Sequence, residues 1–158
     1  METGRTEISH SLQRLESPMD GTCITLKDIG NSELGRNTEG GFAVIPDNGV
    51  VYAPVSGTLT RCCSDNCVYE IDTGEGMKVT LCLSIDMIEQ EGAGLVSLVR
   101  QGQRIRRGDA IADIDLPLIE ETGDPVICTV LVSGCGETEV LKPDQSVRHG
   151  ENGLIQKL

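Results

Sequence analysis

Aromatic side chains are nearly missing from this 158-residue chain: tryptophan is absent, and one phenylalanine and two tyrosines amount to 2% of the residues. A core must therefore be assembled from valine, isoleucine and leucine. Positive charge is scarce as well. Thirteen Lys and Arg stand against 25 Asp and Glu, and the net charge of -12 repels phosphate backbones and anionic membranes. Nucleic acid is thus excluded as an expected partner, and the acidity reads as a solvated surface. No apolar run reaches the roughly 20 residues of a membrane-spanning helix, so no membrane insertion is expected. The start, Met1-Glu2-Thr3-Gly4-Arg5, lacks the basic and apolar stretches of a signal peptide, which makes the cytoplasm the expected compartment. Only two histidines occur, His10 and His149, too few for a histidine-built zinc peptidase. No Cys-x-x-Cys pair occurs either, so a self-contained zinc site of the finger type is not supported.

Cysteine, by contrast, is plentiful at seven residues. In a cytosolic chain these are expected to be reduced thiols, and an odd count leaves at least one unpaired in any case. The length suits one domain with a real core and not two. Residues 1–17 are polar and form an expected flexible or weakly helical leader; residues 18–158 form the expected single domain. From Pro18 onward short apolar runs alternate with turn signals such as Asp47-Asn48-Gly49, Arg107-Gly108-Asp109 and Gly123-Asp124-Pro125. With 19 glycines spread in this way, the pattern predicts an all-β antiparallel sandwich or barrel with only short helical segments. The best helix candidate is Glu91 to Gln101, where Leu95, Leu98 and Val99 recur at helical spacing. Ser17-Pro18-Met19-Asp20-Gly21-Thr22 and Ala53-Pro54-Val55-Ser56-Gly57-Thr58 share an outline, which suggests an internally duplicated architecture.

The clearest strand follows the turn at Gly74 to Gly76. Met77, Val79, Leu81 and Leu83 alternate with Lys78, Thr80 and Cys82, so Cys82 is placed on the face away from the core stripe. The preceding strand, from about Cys67 to Asp72, completes a hairpin. A turn centred between Gly74 and Glu75 sets Cys67 opposite Cys82, where directly opposed Cβ atoms lie about 4.5 to 5.5 Å apart. Lys78 is the nearest cation that the sequence offers to this pair.

Four segments in order carry a resemblance over nearly everything from Pro18 to the C-terminus: Gly41-Phe42-Ala43-Val44-Ile45-Pro46, Val51-Tyr52-Ala53-Pro54-Val55-Ser56-Gly57-Thr58, Gly102-Gln103-Arg104-Ile105-Arg106-Arg107-Gly108-Asp109, and Asp113-Ile114-Asp115-Leu116-Pro117-Leu118-Ile119. The chain resembles the glucose-type enzyme IIA domain of the bacterial phosphoenolpyruvate-dependent sugar phosphotransferase system. The resemblance implies an antiparallel β-sandwich. It also implies a component that takes a phosphoryl group onto one histidine from a small phosphocarrier protein, with a second histidine hydrogen-bonding it, and passes it to a cysteine of enzyme IIB. At the acceptor position this chain has Cys82, at the partner position Cys67, and the following aspartate is kept as Asp86. Ser84 stands where the family usually has glycine, and Leu34-Gly35-Arg36-Asn37-Thr38-Glu39-Gly40 replaces an apolar segment bordering the docking patch.

Several readings stay open on these residues. One is a non-phosphorylated binding or regulatory member with protein partners and no cofactor, since fold does not fix function. Another is a phosphocarrier that uses phosphocysteine at Cys82. A third is a zinc or redox site with Cys67 and Cys82 as ligands or as a disulfide, and the thiols can also be simple packing residues. Biotin attachment at Met77-Lys78 is set aside, because biotinyl domains place the lysine before the Ala-Pro segment. Cys62-Cys63 is expected at a loop edge, Cys128 in a strand as core filling, Cys135 in a turn, and His149 in a solvated loop.

Overall fold

A computed structural model describes residues 14–26, 40–63, 68–83, 95–117 and 126–157. The described chain is almost entirely strand and turn. In order, the strands are β1 (Gly21–Ile24), β2 (Gly40–Pro46), β3 (Val50–Tyr52), β4 (Gly57–Cys63), β5 (Val68–Asp72), β6 (Lys78–Leu83) and β7 (Leu95–Ser97). There follow β8 (Arg104–Ile105), β9 (Ala110–Ile114), β10 (Cys128–Ser133), β11 (Thr138–Val140), β12 (Ser146–Val147) and β13 (Ile155–Lys157).

Eight of them form one sheet in the order β12-β1-β2-β10-β6-β5-β4-β8, all neighbours antiparallel. A three-stranded sheet, β3-β9-β7, and the pair β11-β13 complete the sandwich. The core draws on both layers: Leu59, Tyr69, Ile71, Val79, Leu81 and Val130 of the large sheet join Val51, Ile111, Ala112 and Ile114 of the small one. Aliphatic residues dominate it, as the composition requires, and Tyr69 and Phe42 are its two largest side chains.

The expected duplication is present as a hydrogen-bond pattern that occurs twice. Gly21 and Thr22 pair with Val147 and Ser146 of β12, while Gly57 and Thr58 pair with Ile105 and Arg104 of β8. In one copy Ser17 N donates to Glu151 O (2.8 Å) and Gly150 N to Ser17 O (3.1 Å). In the other, Ala53 N donates to Asp109 O (2.8 Å) and Gly108 N to Ala53 O (2.9 Å). Each copy thus joins a tight turn and its strand to a two-residue edge strand, and the large sheet reads symmetrically from its two ends.

Two expectations change. Leu95–Ser97, expected within a helix, is strand β7, hydrogen-bonded to β9 with Val96 opposite Asp113. The Leu95, Leu98 and Val99 spacing fits a helix, but Gly92 and Gly94 favour none, and pairing to β9 satisfies the backbone instead. The end of the expected leader is packed: Leu15 is fully buried in the core, and Glu16 N donates to Pro54 O at 3.0 Å. No helix among the described residues is long and apolar enough to cross a membrane.

Candidate functional site

Alternation along β6 places its side chains as the sequence predicts. Val79, Leu81 and Leu83 are buried, Lys78 is exposed, and Thr80 and Cys82 are half-buried on the opposite face. The hairpin register, however, differs by one residue from the expected one. Asp72 pairs with Lys78 and Val68 with Cys82, so the turn is centred on Glu75 and Cys67 is not the residue opposite Cys82. The turn explains the shift. Thr73 N donates to Met77 O at 3.1 Å, which closes a loop whose tip is Gly74, Glu75 and Gly76. Both glycines sit at positive φ, 82° and 87°, a conformation that only glycine adopts without cost. Asp72 Oδ1 and Thr73 Oγ1 accept the Gly74 and Glu75 amides at 2.9 and 3.3 Å and fix the tip.

On its other side Cys82 lies opposite Thr129 of β10, a buried residue. Burial pushes the Cys82 thiol up from its ordinary value, and the Arg61 guanidinium pulls it down by less. The cation acting on Cys82 is therefore Arg61 and not Lys78. Arg61 reaches that face through a β-bulge in β4, where the register against β5 shifts between Leu59 and Arg61. Leu59 is buried while Thr60 and Arg61 are both exposed, and Thr60 Oγ1 donates to the Glu70 carboxylate at 2.7 Å. Without the bulge, Arg61 would follow Leu59 into the core.

Cys67, Asp86, Ser84 and the 34–39 segment lie outside the described residues. Cys62 and Cys63 are the last two residues of strand β4; Cys62 Sγ is 3.6 Å from Ser97 Oγ and 3.8 Å from Val99 O. Cys128 fills the core in β10 as expected, with its thiol driven far up by burial and, to a lesser extent, by Cys82. Cys135 is buried in the turn after β10. His149 is exposed in a turn, stacked on Tyr52 with ring centroids 4.0 Å apart. Among the described residues no group of three or more His, Cys, Asp and Glu gathers where a metal ion could be held. A zinc site at Cys82 would have to draw its ligands from outside them.

Comparison with known proteins converges on one family. A family model described as the phosphoenolpyruvate-dependent sugar phosphotransferase system, EIIA 1, matches residues 13–137. A glucose-specific EIIA component of Mycoplasma capricolum is 33% identical over 144 residues, which cover 89% of this chain and 93% of that protein. A glucose-specific EIIA component of Halalkalibacterium halodurans is 25% identical over 142 residues, covering 88% and 82%. The solved structure of glucose permease IIA from Mycoplasma capricolum superposes with a TM-score of 0.76 at 28% identity, covering 89% of this chain and 93% of that one. By its sandwich fold, the family match and the identity to these relatives, the chain belongs to the type 1 EIIA family of the sugar phosphotransferase system.

Proposed function

We propose that this chain is a non-phosphorylated member of its family that acts by binding protein partners, in a regulatory role tied to sugar uptake in the cytoplasm. The observation that carries this reading is the environment of Cys82. A thiol is a competent nucleophile only as its thiolate, which needs a nearby base or a dominant cation. The two residues that face Cys82 across the sheet are Val68 and Thr129, neither of them a base at neutral pH. Burial outweighs Arg61, so the thiol is held protonated. Binding is supported by Val96 and Leu98, exposed by 61% and 52%, which place apolar area on the surface for a partner to cover. Partners on this reading include the phosphocarrier protein and enzyme IIB, with binding to the usual phosphoryl donor weakened by the polar 34–40 segment.

The test is incubation of the purified chain with the general phosphotransfer components and labelled phosphoenolpyruvate. The expected result is no label on the chain while a glucose-type EIIA control is labelled. Label that disappears in Cys82→Ser would overturn the reading and establish a phosphocysteine carrier. Stoichiometric zinc that is lost in Cys67→Ser would instead establish the metal site.

A further inference from the structure

The two structural copies differ at one matched hydrogen bond. In the first, the His149 amide donates to the Asp20 carboxylate at 2.8 Å. In the second, the equivalent Arg107 amide donates to the Ser56 hydroxyl, also at 2.8 Å. A carboxylate in one copy is thus a neutral hydroxyl in the other, so the basic groups around Ser56 meet no carboxylate at that position of the turn. Around Ser56, the side chains of Arg14, Arg104 and Arg107 line a cleft of about 290 Å³ together with Thr73 and Glu75. Three of the chain's thirteen basic residues therefore converge on one concavity of a molecule whose net charge is -12.

The cleft is organised around Arg107. Its Nε lies 3.3 Å from the Glu16 carboxylate, and its Nη1 donates to Arg14 O at 3.3 Å. Those two contacts orient the guanidinium and leave further N–H groups of its fork to donate. Ser56 Oγ accepts the turn amide and keeps its own proton for a ligand. Thr73 is a wall and not a ligand, because its hydroxyl donates to Met77 O at 2.8 Å and accepts the Glu75 amide. Glu16 and Glu75 offset two of the three arginines, which leaves a net positive charge at the cleft.

We propose that this cleft binds a small phosphate monoester, the phosphate lying between Arg104 and Arg107 and taking the Ser56 hydroxyl proton. Guanidinium forks match the geometry of phosphate oxygens and make charge-assisted bonds with them. The cavity is near the lower end of the roughly 300 to 1,000 Å³ typical of ligand sites, which admits a phosphate with a short carbon chain. It lies at the turn end of the β5–β6 hairpin, whereas Cys82 is near the other end of β6, on the order of 15 Å away at about 3.3 Å per residue. The site is separate from the family's transfer position, and its existence does not depend on whether Cys82 is phosphorylated.

The test uses the full chain, isotopically labelled for NMR, titrated at constant ionic strength with inorganic phosphate, glycerol phosphate and chloride. Saturable shifts are expected at the amides of Ser56, Thr73 and Arg107 and not at Thr80 to Leu83, with glycerol phosphate binding more tightly than inorganic phosphate. Arg104→Gln should weaken binding about tenfold or more, the size expected for a lost hydrogen bond between charged groups. Cys82→Ser should leave binding unchanged. Shifts that never saturate, that chloride reproduces, or that centre on β6 would overturn the proposal, as would unchanged affinity in a folded Arg104→Gln chain. Should that variant fail to fold, the shift map of the native chain decides alone.

Discussion

Asp20 accepts the His149 amide at 2.8 Å and the Asn48 side-chain amide at 2.7 Å, tying the turn before β1 to the β2–β3 turn and to the C-terminal segment. The His149 amide bond holds its carboxyl below the ordinary value of 3.8, and Asn48 adds to that effect. Because the folded value is depressed, the contribution to stability is complete above 3.8 and is lost as the pH falls through the lowered folded value. Asp20→Asn is therefore expected to lower stability at pH 7 by about 1 kcal/mol or more, with the difference from the parent vanishing at the acid end. Urea melts at pH 7 and in a series descending from pH 4 to about pH 2 check this. At the same scale, the face occupied by Cys82 was legible because alternation along a strand is strict. Arg61 was not, because a bulge breaks that alternation and no residue type in Leu59-Thr60-Arg61 marks it. The exchange of Asp20 for Ser56 was legible in the two paired outlines, but the gathering of Arg14, Arg104 and Arg107 at Ser56 was not, because they come from separate stretches of the chain.

Among the elements, the β5–β6 hairpin shows where sequence reasoning stops. Its two strands and their buried stripe follow from period-two hydrophobicity, but the register depends on whether the turn tip holds an even or an odd number of residues. That is decided by φ at Gly74 and Gly76, not by pattern. The three-residue β7 fails for another reason: a strand so short has no period to read, and its Val96 points to solvent. A comparison of two glycines tests the account of the turns. Gly134 has φ of 90°, and a Cβ there would lie 2.1 Å from Gly76 O, a backbone atom that cannot move aside cheaply. Gly74 has φ of 82° with nothing within 4 Å of such a Cβ. Gly134→Ala is expected to cost about 3 kcal/mol or more, because steric overlap adds to the left-handed strain; Gly74→Ala should cost about 1 to 2 kcal/mol from strain alone. Equilibrium denaturation of the two variants distinguishes them, and equal losses would contradict the packing of Gly134 on the hairpin turn.

Across the whole molecule, the symmetric large sheet is made of one continuous stretch of chain and one split stretch. One copy, from Ala53 to Asp109, is continuous; the other is assembled from the segment before β2's end and the segment after β10's start. The six-residue outline shared by Ser17 to Thr22 and Ala53 to Thr58 pointed to the turns that open the copies. They could not show that the copies interleave, because the edge strands β8 and β12 are two residues each and carry no pattern of their own. The centre of the sheet is β10, hydrogen-bonded to β2 on one side and to β6 on the other. A chain ending at Pro125 would retain β2 and β6 and lack the strand between them. Such a truncation is expected to aggregate at micromolar concentration, as measured by light scattering, while the full chain remains dispersed; a monomeric, compact truncation would contradict the topology.

The same strand bears on synthesis. While the ribosome is still making residues before Cys128, β2 and β6 each present an open edge whose proper neighbour does not yet exist. Every nascent copy passes through that interval, so neighbouring chains on one message can pair with each other's edges, and slow elongation through residues 84–127 would lengthen the exposure.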